Sequence, residues 1–283
     1  MSKAIVYSFY SVPENPNDSP TFVMLQHSLK TLRNYNSDIP VFVYIYNVQD
    51  KTIYEEVLGN IKNLELRFRT YNPPEGLNKS YMLMMEHKWV SVFETLEEYE
   101  SVLFTDCDTE FFDDPNSLFV KYNDPTKVYT LGSFLGGDFL KFFKIDKLVM
   151  NDGQFLIRDY FLKDKQTFLD ARINYMLDKQ KELDQMNVSS QDYYNIHSWI
   201  NWAGAQYGIS LLLYELDAFE EFSIEDVSLF TDLISLDDRK SLVLFHYFNY
   251  NFHNVLPDEY LDKISKERIY AAKNVEKEWA WDV

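Results

Sequence analysis

Residues Tyr99–Pro115 read YESVLFTDCDTEFFDDP. The apolar run Val102-Leu103-Phe104 passes through Thr105 into two aspartates one residue apart, Asp106 and Asp108, with Cys107 between them. β-Branched and aromatic residues dominate the run, and nothing in it breaks a strand. Asp is a poor strand residue, so the strand is predicted to end at Asp106. Two carboxylates at i and i+2 in a tightening turn can converge on one divalent cation. Hard cations such as Mg²⁺ and Mn²⁺ take a few carboxylate oxygens together with phosphate oxygens of a substrate. The plainer reading is that acidic residues often cap strands and turns.

The chain before this stretch alternates strand and helix patterns. Ala4–Tyr10 reads as a buried strand, and Ser11–Pro20 as a loop. Thr21–Tyr35 places Phe22, Leu25, Leu29 and Leu32 at helical spacing. Val41–Tyr46, VFVYIY, is a strand apolar enough for both faces to be buried. Ile53–Leu58 reads as a short helix, Leu64–Phe68 as a strand and Leu77–Leu96 as a long helix. Such alternation predicts a βαβ series and a mostly parallel sheet. After the acidic pair, Val128–Leu131, Phe155–Ile157, Leu211–Tyr214 and Leu242–Phe245 read as short strands. Lys163–Asp184, Ser189–Gly208 and Ser265–Lys277 read as helices. No linker or repeat divides the chain, so one domain is expected, with its ligand cleft at the carboxyl ends of the parallel strands.

Bulk properties narrow the chemistry. The chain has 283 residues, enough for one large α/β domain with a sizeable core. Its net charge of −18 repels nucleic-acid phosphates and anionic lipid, and no basic run offers a local exception. An acidic protein that binds a nucleotide needs a metal ion or a few placed cations to offset the repulsion. Cys107 is the only cysteine, so no disulfide framework is possible, which suits a reducing compartment. Between two aspartates its thiol pKa should rise, making it a spacer rather than a nucleophile. The amino terminus turns polar too quickly for a signal peptide. No window approaches the ~18 uninterrupted apolar residues of a spanning helix. The expectation is therefore a soluble, cytoplasmic protein.

Register separates the chemistries that use closely spaced aspartates. A Ca²⁺-binding EF-hand loop needs Gly at position six and Glu at position twelve. Counted from Asp106, those positions are Phe111 and Ser117. A haloacid-dehalogenase-type phosphatase follows its strand with D-x-D-x-T, but here Thr109 stands fourth and Glu110 fifth. The third chemistry is the D-x-D of sugar-nucleotide transferases. Here the chain resembles the GT-A-fold glycosyltransferases, most closely the family-8-like group. The pieces that carry the likeness run in order from the strand Ala4–Tyr10 to Leu242–His246, LVLFH. They include the helix segment Ser28–Leu32, Asp38-Ile39-Pro40 before the strand Val41–Tyr46, and the helix with Lys79 and Trp89 before VLFTDCDT. Asn151-Asp152-Gly153 and Ser190-Gln191-Asp192 follow.

The resemblance implies a single GT-A (Rossmann-like) α/β domain spanning 1–283. Residues 1–115 would form the nucleotide-sugar half and 116–283 the acceptor half. It implies a metal-dependent hexosyltransferase-type glycosyltransferase, moving sugar from a UDP- or GDP-sugar to a hydroxyl of a glycan or other acceptor. The cofactor would be Mn²⁺ or Mg²⁺. Asp108 is the expected metal ligand, and Asp106 binds metal or reaches ribose and metal together. His246 supplies a third ligand, with His253 as its rival. Ser8, Phe9, Tyr10, Tyr46 and Asn47, near the ends of the first two strands, are candidates for the nucleotide, and Lys79 for its diphosphate. Asn151 and Gly153 correspond to the group's Asn-x-Gly acceptor segment. An inverting enzyme needs a general base, for which Asp138, Asp152 and Asp192 compete, whereas a retaining enzyme needs none; Gln191 stands in the later acidic/amide segment. Trp199, Trp202 and the aromatic run Tyr247–Phe252 are candidate sugar platforms or core. Two enzyme alternatives are a phosphatase and a sugar nucleotidyltransferase, the latter weakened because Ser8–Asp18 contains no Gly or Arg. A non-catalytic sugar-binding module is the third.

Overall fold

Side-chain alternation along three strands builds the two layers that hold the fold together. The computed structural model describes residues 2–10, 20–48, 50–70, 82–133, 147–229 and 241–246. Strand β1 (Lys3–Tyr10) is followed by helix α1 (Pro20–Tyr35), β2 (Val41–Tyr46), α2 (Thr52–Leu58), β3 (Leu64–Arg69), α3 (Met82–Leu96) and β4 (Ser101–Thr105). Ile5, Tyr7 and Phe9 of β1, with Val41, Val43 and Ile45 of β2 and Leu103 of β4, pack with Phe22, Leu25, Leu29 and Leu32 of α1. Their neighbours Ala4, Val6, Phe42, Tyr44, Tyr46, Val102 and Phe104 pack on the other side with Trp89, Val92, Phe93 and Leu96 of α3. The period of two thus gives each strand two apolar faces, and a helix covers each. All six residues of β2 are buried, as its sequence predicted.

The second half continues with β5 (Thr109–Phe111), α4 (Asn116–Lys121), β6 (Val128–Ser133) and β7 (Val149–Arg158). A 3₁₀ turn (Asp159–Asp164) leads to α5 (Lys165–Asp184), α6 (Ser190–Glu215), β8 (Phe219–Glu221), β9 (Val227–Leu229) and β10 (Leu244–His246). The main sheet has the order β3-β2-β1-β4-β7-β6-β8. β3, β2, β1 and β4 are parallel, β7 is antiparallel to both β4 and β6, and β8 runs parallel to β6. The mostly parallel α/β sheet expected from the sequence is present. A small second sheet, β5-β10-β9, stands beside it.

Some local expectations change. Leu211–Tyr214 belongs to α6 rather than to a strand. A short apolar run fits a strand or a buried helix turn equally well, and here helix spacing buries Leu212 and Leu213 while exposing Leu211. Phe155–Ile157 is the far end of a ten-residue strand that already contains Asn151-Asp152-Gly153. The expected helix Ser265–Lys277 lies outside the described residues.

Candidate functional site

Strand β4 ends at Thr105, one residue before the first aspartate, as read from the sequence. The turn that follows is tied down from below. The Thr109 hydroxyl donates to the Asp106 carbonyl at 2.8 Å and lies 2.9 Å from the Thr105 hydroxyl and 3.0 Å from that of Ser28. Ser28 in turn meets the Tyr7 hydroxyl at 2.9 Å. This buried hydroxyl chain joins β1, α1 and the turn. From the other side, the Asp106 N–H donates to the Gly153 carbonyl at 2.7 Å.

Three side chains then converge. β5 leaves the acidic turn and pairs antiparallel with β10, opposing Thr109 to His246. His246 Nε2 lies 3.1 Å from Asp108 Oδ1, although the two residues are 138 positions apart. Asp106, Asp108 and His246 each offer a ligand atom, all within 4.8 Å of one another. Asp108 and His246 are buried, and Asp106 is partly exposed. A built Cβ on Gly153 would lie 2.5 Å from His246 Cε1, 2.7 Å from Asn151 Oδ1 and 3.0 Å from Asp106 Oδ2. Gly153 therefore keeps the space beside the triad clear. Two carboxylates and an imidazole in this space form a donor set that fits a divalent ion such as Mn²⁺ or Mg²⁺.

A fourth charged group completes the site. Lys88, on the buried side of α3, places Nζ 2.8 and 2.9 Å from the two oxygens of Asp106 and 3.4 Å from Asp152 Oδ1. Its ammonium also lies 5.6 Å from the Phe104 ring centre. Asp152 reaches it because β6 and β7 shift register. Thr130 pairs with Phe155 but Leu131 pairs with Asn151, so Asp152, Gly153 and Gln154 have no counterpart on β6. The Thr130 hydroxyl holds this bulge, 2.8 Å from the Asn151 carbonyl and 3.1 Å from that of Gln154. Bulges of this kind re-aim side chains beside active sites.

Burial and charge tune these groups together. Burial pushes the Asp106 carboxyl up to about 6, with Lys88 opposing the rise and Asp108 adding to it. Burial by itself would lower the His246 imidazole, but the charge and hydrogen bond of Asp108 outweigh it and hold it above its ordinary value. Lys88 is likewise raised, because Asp106 and Asp152 overcome its desolvation. Burial pushes the Cys107 thiol well up, and the flanking aspartates add to that, which fits a spacer.

The other candidates fall in different places. Ser8 is buried, and its hydroxyl has no hydrogen-bond partner among the described residues. It stands on β1 two residues beyond Val6, whose rung partner Phe104 stands two residues before Asp106. Phe9 packs in the core against Phe22 and Tyr54. Tyr46 is buried, with its hydroxyl 2.8 Å from Ser91 and its ring edge-on to His87. Asn47 ends β2 in the left-handed region at φ 58°, which Asn tolerates better than most residues. The Asn151 carboxamide accepts from the Gly153 N–H at 2.8 Å. Asp192 lies in the exposed first turn of α6, where its backbone N–H donates to Ser189 Oγ at 3.1 Å and its carboxylate accepts from it at 2.7 Å. Gln191 is exposed and bonds Asn195. Lys79, Asp138, His253 and the run Tyr247–Phe252 lie outside the described residues, as do the side chains of Tyr10, Trp199 and Trp202. Lys88 escaped the sequence reading. The available signal was a lysine one turn before Val92 and in line with Thr95, on the helix leading into the acidic strand.

No protein-family model matches the sequence, and no curated protein sequence matches it. Solved structures do match. Mouse xyloside xylosyltransferase 1 superposes with a TM-score of 0.57 at 10% identity, covering 90% of this chain and 99% of that one. The glycosyltransferase GlyE of Streptococcus pneumoniae gives 0.54 at 12% identity, covering 96% of this chain and 63% of the other. The galactosyltransferase LgtC, solved with donor and acceptor sugar analogues, gives 0.50 at 14%, covering 92% and 100%. The chain therefore has the α/β fold of GT-A glycosyltransferases, with its acidic pair at the carboxyl end of a central strand.

Proposed function

We propose that this protein is a metal-dependent glycosyltransferase that moves a sugar from a nucleotide-diphosphate sugar to an acceptor hydroxyl. The observation that carries this reading is the convergence of Asp106, Asp108 and His246 at the end of β4, in a fold shared with glycosyltransferases. Asp108 and His246 would hold the ion, with Asp106 completing the set. A divalent ion bound there supplies Lewis-acid stabilisation to a departing diphosphate, worth several kcal/mol at the transition state. The chain's own residues do the rest. Lys88 adds fixed positive charge where an acidic protein must accept an anionic donor. Ser8 offers the donor a buried hydroxyl with no partner among the described residues, and Asn47 a polar side chain at the adjoining strand end. Tyr46 and Phe9 are buried in the core near the same strand ends, and Tyr10 and Lys79 are further donor candidates from the sequence alone. On the acceptor side, Asn151 and Gly153 line the approach to the triad. Asp152 stands nearest the charged cluster among the described general-base candidates, with Asp138, Asp192 and Gln191 the others on this half.

A thermal-shift screen with Mn²⁺ and UDP- or GDP-sugars tests the reading. A ligand that binds only the folded state at a hundredfold excess over Kd adds about 2.7 kcal/mol of stability. Asp108→Ala should lose both the shift and transfer. Equal transfer by wild type and Asp108→Ala would overturn the assignment.

A further inference from the structure

Three carboxylates, Asp106, Asp108 and Asp152, surround one ammonium and one imidazole. With the imidazole neutral, as ligation requires, Lys88 cancels one of three negative charges. The ammonium does not sit loosely. It touches both oxygens of Asp106, one of the metal-ligand candidates, and its tether to β7 is Asp152, which is 2% exposed. The second oxygen of Asp152 has no partner among the described residues, so Lys88 is the polar contact seen for that carboxylate. A cation held here repels a divalent ion and attracts a diphosphate.

We infer that Lys88, anchored by Asp152, is a positioning counter-cation that lowers the site's affinity for the free metal ion and raises its affinity for the nucleotide diphosphate. This rests on the reading of Asp106, Asp108 and His246 as the metal site. In a chain of net charge −18, an all-acidic site would hold the ion tightly but repel the donor. A fixed cation shifts that balance, so ion and diphosphate are taken up together. Asp152 acts through Lys88, opposing its charge and fixing its position.

Calorimetric titration, with electron paramagnetic resonance counting free Mn²⁺, tests this directly. Lys88→Met should tighten binding of Mn²⁺ alone by about tenfold or more and weaken UDP or GDP binding in saturating Mn²⁺ by a similar factor. Asp152→Asn should move both affinities the opposite way. The double variant should return both to within about threefold of wild type, as expected for opposed charges in contact. Lys88→Arg, which keeps the charge, should stay near wild type. A merely structural role would lower the melting temperature without moving the two affinities in opposite directions. Lys88→Met leaves buried carboxylates without their counter-ion and can fail to fold. Asp152→Asn and the double variant, which removes both charges, then carry the test. If wild type binds Mn²⁺ but the two affinities move together or either stays unchanged, the inference is overturned while the metal site stands. If wild type binds neither Mn²⁺ nor nucleotide, the site reading falls and the inference with it.

Discussion

Gly153 shows how one residue controls the site. A methyl group there meets an imidazole carbon, a carboxamide oxygen and a carboxylate oxygen, all at 3.0 Å or less. Two of those atoms belong to residues held by β10 and by the turn after β4, so relief would require the triad to spread. Gly153→Ala should cost about 1–3 kcal/mol in stability, typical of overpacking, and weaken Mn²⁺ binding. Calorimetry for the melting temperature and titration for the ion check the two effects separately. At this scale the aspartates were legible, because an acidic pair directly after a buried strand is conspicuous. Lys88 was not, because a lysine on a helix ordinarily reaches water. Its partner Asp152 is 64 positions away, so no local pattern joins them.

Two connections decide whether the acidic turn keeps its shape. Below it, Thr109 links Asp106, Thr105 and Ser28 through one hydroxyl. Thr109→Val preserves size but strands buried partners, and should lower stability by roughly 2 kcal/mol. A urea midpoint that falls with an unchanged m-value would register that loss. Beyond it, Asp114 holds the start of α4. It accepts the Asn36 amide at 2.7 Å and the Asn116 N–H at 2.9 Å. Burial would raise this carboxyl, but those hydrogen bonds outweigh it and leave it below its ordinary value. A depressed folded-state pKa contributes stability that is present above the unfolded value, about 3.9, and is lost as pH falls through the folded one. Wild type should therefore lose more stability between pH 5 and 3 than Asp114→Asn, measured by denaturant titration at each pH. The longer elements were readable because their periodicities are strong. The strands β5, β8 and β9, each of three residues, were not, because so short a segment has no period to read.

At the scale of the whole molecule, the sheet carries a core on each face, and Trp89 is the centre of one of them. It stacks on Phe155 of β7 at 4.3 Å and 12°, and meets Phe168 of α5 at 5.5 Å and Phe93 of α3 at 6.2 Å across the same cluster. Trp89→Ala should cost about 3–5 kcal/mol. It should lower the single cooperative transition seen by far-UV and near-UV circular dichroism together, because the cluster joins α3, β7 and α5. The sequence by itself determined the layered α/β core, the end of β4 at the acidic pair and the burial of β2. Each follows from short-range alternation and from residue chemistry. Only the tertiary structure decided which distant groups complete the site. His246 reaches Asp108 because β10 pairs with β5, and Asp152 reaches Lys88 because β7 shifts its register against β6. The physical reason is that strand pairing and register join positions through backbone hydrogen bonds, whose partners no local pattern of side chains specifies.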